Sequence, residues 1–392
     1  MASERTQVGI IGSGPSGLLL SQLLDRNGID NVVLERRSRQ YVLGRIRAGV
    51  LERGMVELMR QAGVRERMDR EGMVHHGFCI AFNNGIHRVD LRELTGGSVM
   101  IYGQTEVTRD LMDARDAGCG KLIYEAEDVR IDSLEEDGAL LRYRTSGEDH
   151  TLECEFVAGC DGYYGPSRRA IPDTVLRVYE RVYPFGWMGL LSQTPPVHDE
   201  IVYARHPRGF ALCSMRSASL SRYYVQCSLD DQVADWPDER FWEELRRRLP
   251  DTLSDILVTG PSIEKSIAPL RSFVAEPMRY KRLFLAGDAG HIVPPTGAKG
   301  LNLAASDIHY LSRAFIAWYH DSNAALLDDY SEQCLRRVWR AERFSWWMTN
   351  LLHTLPENEP FEHRMQDAEL DYVFSSQAMM TAVAENYVGL PY

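Results

Sequence analysis

Three short runs of this chain set glycines beside an acidic residue in arrangements that hold phosphates and sugar hydroxyls. The first is Gly12-Ser13-Gly14-Pro15-Ser16-Gly17, a G-x-G-x-x-G followed by Glu35. In that motif the glycine backbone approaches a pyrophosphate, a helix N-terminus receives it, and an acid roughly 20 residues on accepts from a ribose hydroxyl. The spacing suits a dinucleotide, FAD or NAD, and the motif does not choose between them. A glycine-rich turn that only packs a helix against a sheet is the plainer alternative.

The second run, GDAGHIVPPTGAKGLN from Gly287 to Asn302, follows the apolar strand Leu283-Phe284-Leu285-Ala286 and leads into a helical pattern. Asp288 at the strand end is placed to accept from sugar-type hydroxyls, and the first turn of the helix offers free N–H groups to an electron-rich group. Lys299 near that helix start opposes the helix dipole, so an anionic neighbour is expected. An ordinary surface loop is the alternative. The third run, Gly159-Cys160-Asp161-Gly162, places Asp161 at another strand end. It meets the same cofactor or a second nucleotide, unless it is a simple Asp-Gly turn.

A fourth set lies on two consecutive strand patterns. Ser214 and Arg216 share one face of the run Phe210 to Arg216, and Arg222 and Tyr224 one face of Ser221 to Ser228, because side chains alternate along a strand. If the intervening turn holds an odd number of residues, the four converge into a pocket for a small carboxylate. The alternative is the solvent face of an antiparallel sheet. Arg36, Arg37, Arg39, Arg45 and Arg47 form a basic knot just after Glu35. Arginine grips phosphate with two parallel hydrogen bonds, so at least two of these are expected on pyrophosphate or the extra phosphate of NADPH, and others on a solvated face.

These residues need elements to position them. Thr6 to Ile11, a helix with Pro15 in its first turn and a leucine face ending at Asn27-Gly28, and the strand Asn31 to Leu34 make a βαβ unit. Ala48 to Ala62 reads as an amphipathic helix, Val74 to Leu91 as strands with a hairpin turn at Asn83-Asn84-Gly85, and Gln104 to Ala117 as a helix. Strands are expected at about Lys121 to Tyr124, Ala139 to Arg144 and Leu152 to Ala158, then a β-rich stretch from Val182 to Ser228 and a helix from Trp236 to Leu249. From Leu301 on the pattern is helical, to about His320, then Ala324 to Trp347 and about Phe361 to Met379, with Tyr387 in a polar tail. Trp339, Phe344, Trp346 and Trp347 are expected in a core or a dimer surface.

Composition bounds the partners. The 392 residues are enough for two or three domains, and 44% hydrophobic with 26% charged residues is ordinary for a globular chain. A net charge of -12 argues against nucleic acid, whose phosphates need a basic surface. Seven scattered cysteines with no CxxC pair fit a reducing compartment and speak against structural zinc, and no other metal is expected. No signal peptide, lipidation box or apolar run of about 18 residues is visible, so a cytoplasmic protein without a membrane partner is expected.

Taken together, GSGPSG, GCDG and GDAGHIVPPTGAKGLN resemble the three fingerprints of the class A flavoprotein aromatic hydroxylases. The runs YVLGRIRAGVLE, YGQTEVTRDLM, YPFGW, HPRGFALCS, SRYYVQ, EKSIAPLRSF, ERFSWWM and AENYVGLPY extend the similarity over essentially the whole chain. The fold implied is α/β with α+β mixing. It comprises a FAD-binding Rossmann-like domain (residues 1–75, 98–180 and 270–320), an inserted antiparallel β-sheet substrate domain (76–97 and 181–269) and a C-terminal helical, dimerising region (321–392).

The resemblance implies a FAD monooxygenase that converts 4-hydroxybenzoate to 3,4-dihydroxybenzoate with NADPH and O₂, through a C4a-hydroperoxyflavin and a substrate phenolate. Gly12, Gly14, Gly17 and Glu35 would hold the ADP half of FAD with Arg45, Arg47, Gln104 and Asp161 near, Asp288 the ribityl chain, and Leu301 and Asn302 the pyrimidine edge. Ser214, Arg216 and Tyr224 would bind the substrate carboxylate, with Tyr203 at the phenol oxygen and Pro295 on its other side. Tyr203, Tyr387 and His75 would relay the phenol proton, because an unaided phenol titrates near ~10 and histidine near neutrality. Arg222 would accompany a shift of the flavin toward NADPH, whose contacts would be Arg36, Arg37, Ser38, Tyr41, Arg168 and Arg271. Two positions depart from the family pattern: Tyr164 stands where a histidine is common, and Gly290 where alanine is. The competing readings are a hydroxylase for another aromatic acid, a dehydrogenase without oxygen chemistry, and a non-catalytic FAD-fold binding protein.

Overall fold

The strand Ser3–Ile11 lies at the centre of a parallel sheet: the chain returns to one of its edges through a helix and to the other from an antiparallel hairpin. Asn31–Leu34 pairs with it on one side and Glu148–Gly159 on the other, all parallel. Leu283–Leu285 then adds in parallel beyond Glu148–Gly159, and Lys121–Ile123 beyond Asn31–Leu34. The computed structural model describes residues 3–44, 49–118, 120–135, 137–356 and 359–392. The crossover helix Pro15–Arg26 starts on Gly14, with Pro15 at its first position, and stops at Asn27 before Gly28 turns left-handed at φ +67°. Leu18, Leu19, Leu20, Leu23 and Leu24 are all buried against the sheet, each contributing about 1.5–3 kcal/mol of burial.

A second sheet is largely antiparallel and carries the other candidate residues. Its strands run in the order His291–Ile292, Ser262–Glu276, Arg177–Ser192, Leu220–Cys227, Ala211–Ser217, Val202–Ala204, Gly77–Phe82 and Gly85–Asp90. Asn83 and Asn84 both have positive φ and form the two-residue hairpin turn expected there. A three-stranded sheet, Val50–Leu51, Val99–Ile101 and Met73–His75, bridges the two. The helices Gly300–Asp321 and Ala325–Leu352 pack into the core of the parallel sheet, and Ala325–Leu352, Pro360–Ser375 and Gln377–Val388 into that of the second sheet.

The structure revises several expected elements. Val50–Leu51 is a strand, paired to Ile101 and Met100, and the helix begins only at Arg53, since an apolar pair meeting a sheet edge takes the extended form. Glu127–Leu134, polar along most of its length, pairs antiparallel to Ala139–Thr145 at the sheet rim. Tyr387 is not in a tail. Ser376 is extended at φ −113°, ψ 112°, ends one helix, and caps the next with its hydroxyl on the Met379 amide at 3.4 Å, so Tyr387 falls on a buried helical turn.

Candidate active site

The first glycine run divides its labour by position. Gly12 has φ +102°, and a Cβ there would lie 2.3 Å from the Cys160 carbonyl oxygen; a Cβ on Gly17 would lie 2.0 Å from the Gly12 oxygen. These two glycines permit the turn and the close helix packing. A Cβ on Gly14 would meet nothing within 4 Å, so its backbone borders open space at the mouth of the helix. That space, lined by first-turn amides, fits the pyrophosphate of a dinucleotide. Glu35 closes the turn: its carboxylate accepts from the Ser13 amide (2.8 Å), the Ser13 hydroxyl (3.0 Å) and the Arg37 amide (2.8 Å). Gln104 is the first residue of the helix Gln104–Ala117.

The other two runs behave differently from one another. Asp161 accepts from the Ser167 amide at 2.8 Å and braces the 3-10 turn Ser167–Ala170, while its Oδ1 is buried without a partner among the described residues. Burial raises its carboxyl above the ordinary range. Asp288 is exposed on the 3-10 turn Gly287–Ala289. Beneath it Asp307 accepts from the Gly287 amide (2.9 Å) and pairs with His291 (2.6 Å), which fixes the loop from below. The Leu301 and Asn302 amides precede the first helical bond, from the Leu303 amide to the Lys299 carbonyl. The Asn302 side chain is already committed, accepting from the Glu52 amide (2.8 Å) and donating to the Val50 (2.8 Å) and Ala298 (2.9 Å) carbonyls. The anionic neighbour expected for Lys299 is Glu52, at 2.7 Å, with both side chains buried. A Cβ at Gly290 would lie 3.0 Å from the flexible end of Met278, and its φ of −101° is one any residue adopts, so alanine fits there.

On the second sheet a row of cross-strand pairs runs Ile80, Tyr203, Leu212, Tyr224, Gly189 and Ser266. Directly paired residues share a face, so Tyr203 and Tyr224 look the same way. Ser214 pairs with Arg222 on that face, and the Arg222 guanidinium lies 5.2 Å from the Tyr224 ring centre. The turn between Ser217 and Leu220 holds an even number of residues, so convergence comes instead from a register shift between Met215 and Ser217, a bulge at Arg216. The Arg216 Nε and the Arg222 Nε and Nη1 are buried without hydrogen-bond partners among the described residues. Arg222 Nη2 donates to Ser266 (3.1 Å), and Glu264 lies 3.3 Å from Nη1. Burial holds the Arg216 guanidinium below its ordinary value, only partly offset by Tyr224. Arg216, half-buried with an unmet Nε among the described residues, beside the buried Arg222, whose charge Glu264 shares, forms a site that an anion would complete.

At the other end of this face the Tyr203 and Tyr387 hydroxyls are 2.9 Å apart, with both rings only 2% exposed. Burial pushes the Tyr203 phenol up to about 12, and raises that of Tyr387 well above its ordinary value. Phe78 stacks on Tyr387 at 4.1 Å. His75 is also buried and held below its ordinary value by burial. Its Nε2 lies 3.4 Å from the Met215 sulfur and its Nδ1 has no partner among the described residues, so it makes no direct hydrogen bond to Tyr387. Pro295 is exposed on the 3-10 turn Pro295–Gly297, which is pinned through Thr296 to Thr349 at 2.9 Å. A participant with no local signal is His353, buried and held down at about 3, which accepts from the Trp187 indole at 2.8 Å. Trp187 in turn packs 5.2 Å from Tyr224.

The basic residues separate into two groups. Arg39 pairs with Asp113 (2.8 Å) and Asp116 (3.1 Å), which makes it structural, while Ser38 caps a short helix through the Tyr41 amide (3.3 Å) and Arg37 lies over the exposed Tyr41 ring at 4.9 Å. Arg36 is exposed beside them. Arg168 and Arg271 lie 4.9 and 4.5 Å from the Tyr163 ring centre; Arg271 also pairs with Glu180 at 2.9 Å and Arg168 donates to the Ala289 carbonyl at 2.9 Å. Tyr164 is 71% exposed next to them. Arg45 and Arg47 lie outside the described residues.

A family model described as FAD binding domain matches residues 5–345. The p-hydroxybenzoate hydroxylase of Acinetobacter baylyi is 54% identical over 393 residues, covering 100% of this chain and 97% of that protein. The solved p-nitrophenol 4-monooxygenase of Pseudomonas putida DLL-E4 superposes with a TM-score of 0.85 over 100% of both chains at 19% identity. A Diels-Alderase of pyrroindomycin biosynthesis superposes with a TM-score of 0.77 at 21% identity, covering 98% of this chain and 81% of its own. At such identities the two structures share the fold alone, and the second shows that the fold does not dictate hydroxylation.

Proposed function

This chain belongs to the FAD-binding-domain family and, within it, to the class A flavoprotein aromatic hydroxylases; it is a flavin monooxygenase, and we propose that it hydroxylates 4-hydroxybenzoate to 3,4-dihydroxybenzoate with NADPH and O₂. The observation that supports this substrate best is the single sheet face with unmet arginine donors at one end and two hydrogen-bonded phenols at the other. One aromatic acid with a carboxylate and a para hydroxyl satisfies both ends.

In this reading Ser214, Arg216 and Tyr224 hold the carboxylate. The substrate phenol passes its proton to Tyr203 as Tyr203 passes its own to Tyr387, and the proton continues toward His75, which burial keeps neutral. Neither tyrosine holds a negative charge, because burial raises both phenols, so the relay exchanges protons and leaves the anion on the substrate. Gly12, Gly14, Gly17, Glu35, Gln104, Arg45, Arg47 and Asp161 serve the ADP half of FAD, Asp288 the ribityl chain, and the Leu301 and Asn302 amides the pyrimidine edge. When bound and reduced, FAD supplies the activated oxygen for transfer to the ring. The buried rings around Tyr203 keep water from the phenol end of the site, and with Pro295 beside the flavin they would limit loss of the activated oxygen as H₂O₂.

Arg36, Arg37, Ser38, Tyr41, Arg168 and Arg271 receive NADPH, and Arg222 moves with the flavin toward it. The parallel-sheet and antiparallel-sheet regions act as cofactor and substrate domains, and Trp339 and Trp346, 42% and 46% exposed, support a homodimer through the C-terminal helices. Among the described residues no helix is long and apolar enough to cross a membrane. The test mixes the FAD-loaded protein with NADPH, O₂ and 4-hydroxybenzoate and measures 3,4-dihydroxybenzoate and H₂O₂ against NADPH consumed. Near-equal product and NADPH is expected; mostly peroxide would reassign the pocket to another aromatic acid.

A further inference from the structure

Residues 386–392 are tied to the glycine-rich loop by two buried charges, Glu52 and Lys299, and the largely buried Arg337. Glu52 accepts from Lys299 at 2.7 Å through Oε1 and from Arg337 at 3.3 Å through Oε2. Lys299 also donates to the Asn386 carbonyl and, at 3.3 Å, to that of Tyr387. Arg337 Nη1 donates to the Leu390 (2.7 Å) and Pro391 (3.1 Å) carbonyls, and its guanidinium lies 4.7 Å from the Tyr392 ring centre. That ring closes on Gly54, where a Cβ would come within 2.4 Å of it. Gly389, at φ +99°, brings the backbone so close to Glu52 that a Cβ there would lie 2.1 Å from Oε2.

The last carbonyls of a helix lack intrahelical donors, and a cation at that end both satisfies them and suits the dipole. Here two cations take carbonyls on either side of the Gly389 bend, and one carboxylate binds both cations. The helix Gln377–Val388 therefore has its final turn held from outside, and Tyr387 stands on that turn. Arg337, on the helix Ala325–Leu352, makes no hydrogen bond to either tyrosine among the described residues.

We infer that Arg337 is a positioning residue for the tyrosine pair: by holding the Leu390 and Pro391 carbonyls against Glu52 it keeps the Tyr387 hydroxyl within hydrogen-bond reach of Tyr203. The inference rests on the hydroxylase reading above, in which that pair carries the substrate's proton. The charged and titratable groups that bear on Tyr387 are Tyr203, Glu200 and Lys299, whose ammonium lies 6.0 Å from the ring centre. None of them is removed by changing Arg337.

The test titrates the near-ultraviolet absorbance of 4-hydroxybenzoate bound to the FAD-loaded enzyme against pH, which reads phenolate formation. Unmodified enzyme is compared with Arg337→Met, Arg337→Gln, Arg337→Lys and, as reference, Tyr387→Phe. Both neutral variants are expected to move phenolate formation upward by about half a pH unit or more, roughly threefold in the proton equilibrium. The direction is that of Tyr387→Phe, and Arg337→Lys, which keeps the cation, abolishes most of the shift. Affinity for benzoate, which has no phenol, stays unchanged. If Arg337→Met does not fold, Arg337→Gln carries the comparison. A Tyr387→Phe shift with none in the neutral variants, even alongside lost thermal stability, overturns the role of Arg337. No shift in Tyr387→Phe itself overturns the tyrosine relay and the inference with it.

Discussion

The hydroxyls of Tyr203 and Tyr387 meet at 2.9 Å although 184 residues separate them in the chain. Tyr387→Phe breaks that pair and leaves Tyr203 without a buried partner. Hydroxylation at neutral pH is expected to slow about a hundredfold, the lower end of what losing an acid-base group costs. The deficit should shrink as pH approaches the phenol's own ~10. The measurement is kcat against pH with product counted per NADPH; an undiminished kcat at pH 7 would remove Tyr387 from the relay.

Arg216 lies beside Tyr224, with a buried Nε that has no partner among the described residues. Replacing it by methionine keeps the stem and removes the charge. Affinity for 4-hydroxybenzoate is expected to fall by roughly 2–4 kcal/mol, the scale of a desolvated charge-assisted contact, while FAD stays bound. Ligand titration of the FAD-loaded variant measures this, and retained affinity would place the carboxylate elsewhere.

Gly14 and Gly17 belong to one motif but should fail differently. A Cβ at position 14 meets nothing, whereas one at 17 would lie 2.0 Å from the Gly12 oxygen. Gly14→Ala is therefore expected to fold normally as apoprotein and to bind FAD more weakly, and Gly17→Ala to fold poorly. Circular dichroism of the apoproteins and FAD titration separate the two; equal FAD affinity in Gly14→Ala would argue that the cofactor lies away from that mouth.

Burial raises the Glu342 carboxyl from 4.5 to about 7. The folded chain thus holds this proton more tightly than the unfolded one. The stabilisation it provides is complete below pH 4.5 and is lost as pH rises through about 7. By pH 8 the difference costs roughly 3 kcal/mol. Glu342→Gln, neutral at every pH, is expected to be more stable than the parent at pH 8 and nearly equal at pH ~4. Denaturant unfolding at the two values decides it, and a gain of equal size at both would assign the effect to packing.

Local pattern carried a large part of the fold. The βαβ unit, the Asn83-Asn84 turn and the helix Gln104–Ala117 were legible because each is settled by residues close in the chain. Alternation also put Ser214 with Arg216, and Arg222 with Tyr224. It did not reveal that the bulge at Arg216, rather than the turn, aligns the two pairs, since a bulge has no fixed sequence mark.

The sequence by itself determined the chemistry available: glycines and acids at strand ends for a dinucleotide, arginines for anions, tyrosines and a histidine for protons. It determined too which pieces were strand and helix wherever one periodicity prevailed. Only the tertiary structure decided partnership. It turned the expected tail into a helix that delivers Tyr387 to Tyr203, and gave Lys299 to Glu52, 247 residues away. It also committed the Asn302 amide to the backbone and Arg39 to two aspartates. Such contacts depend on how distant elements pack, and a buried charge takes whichever opposite charge that packing brings within reach; no local spacing encodes that choice.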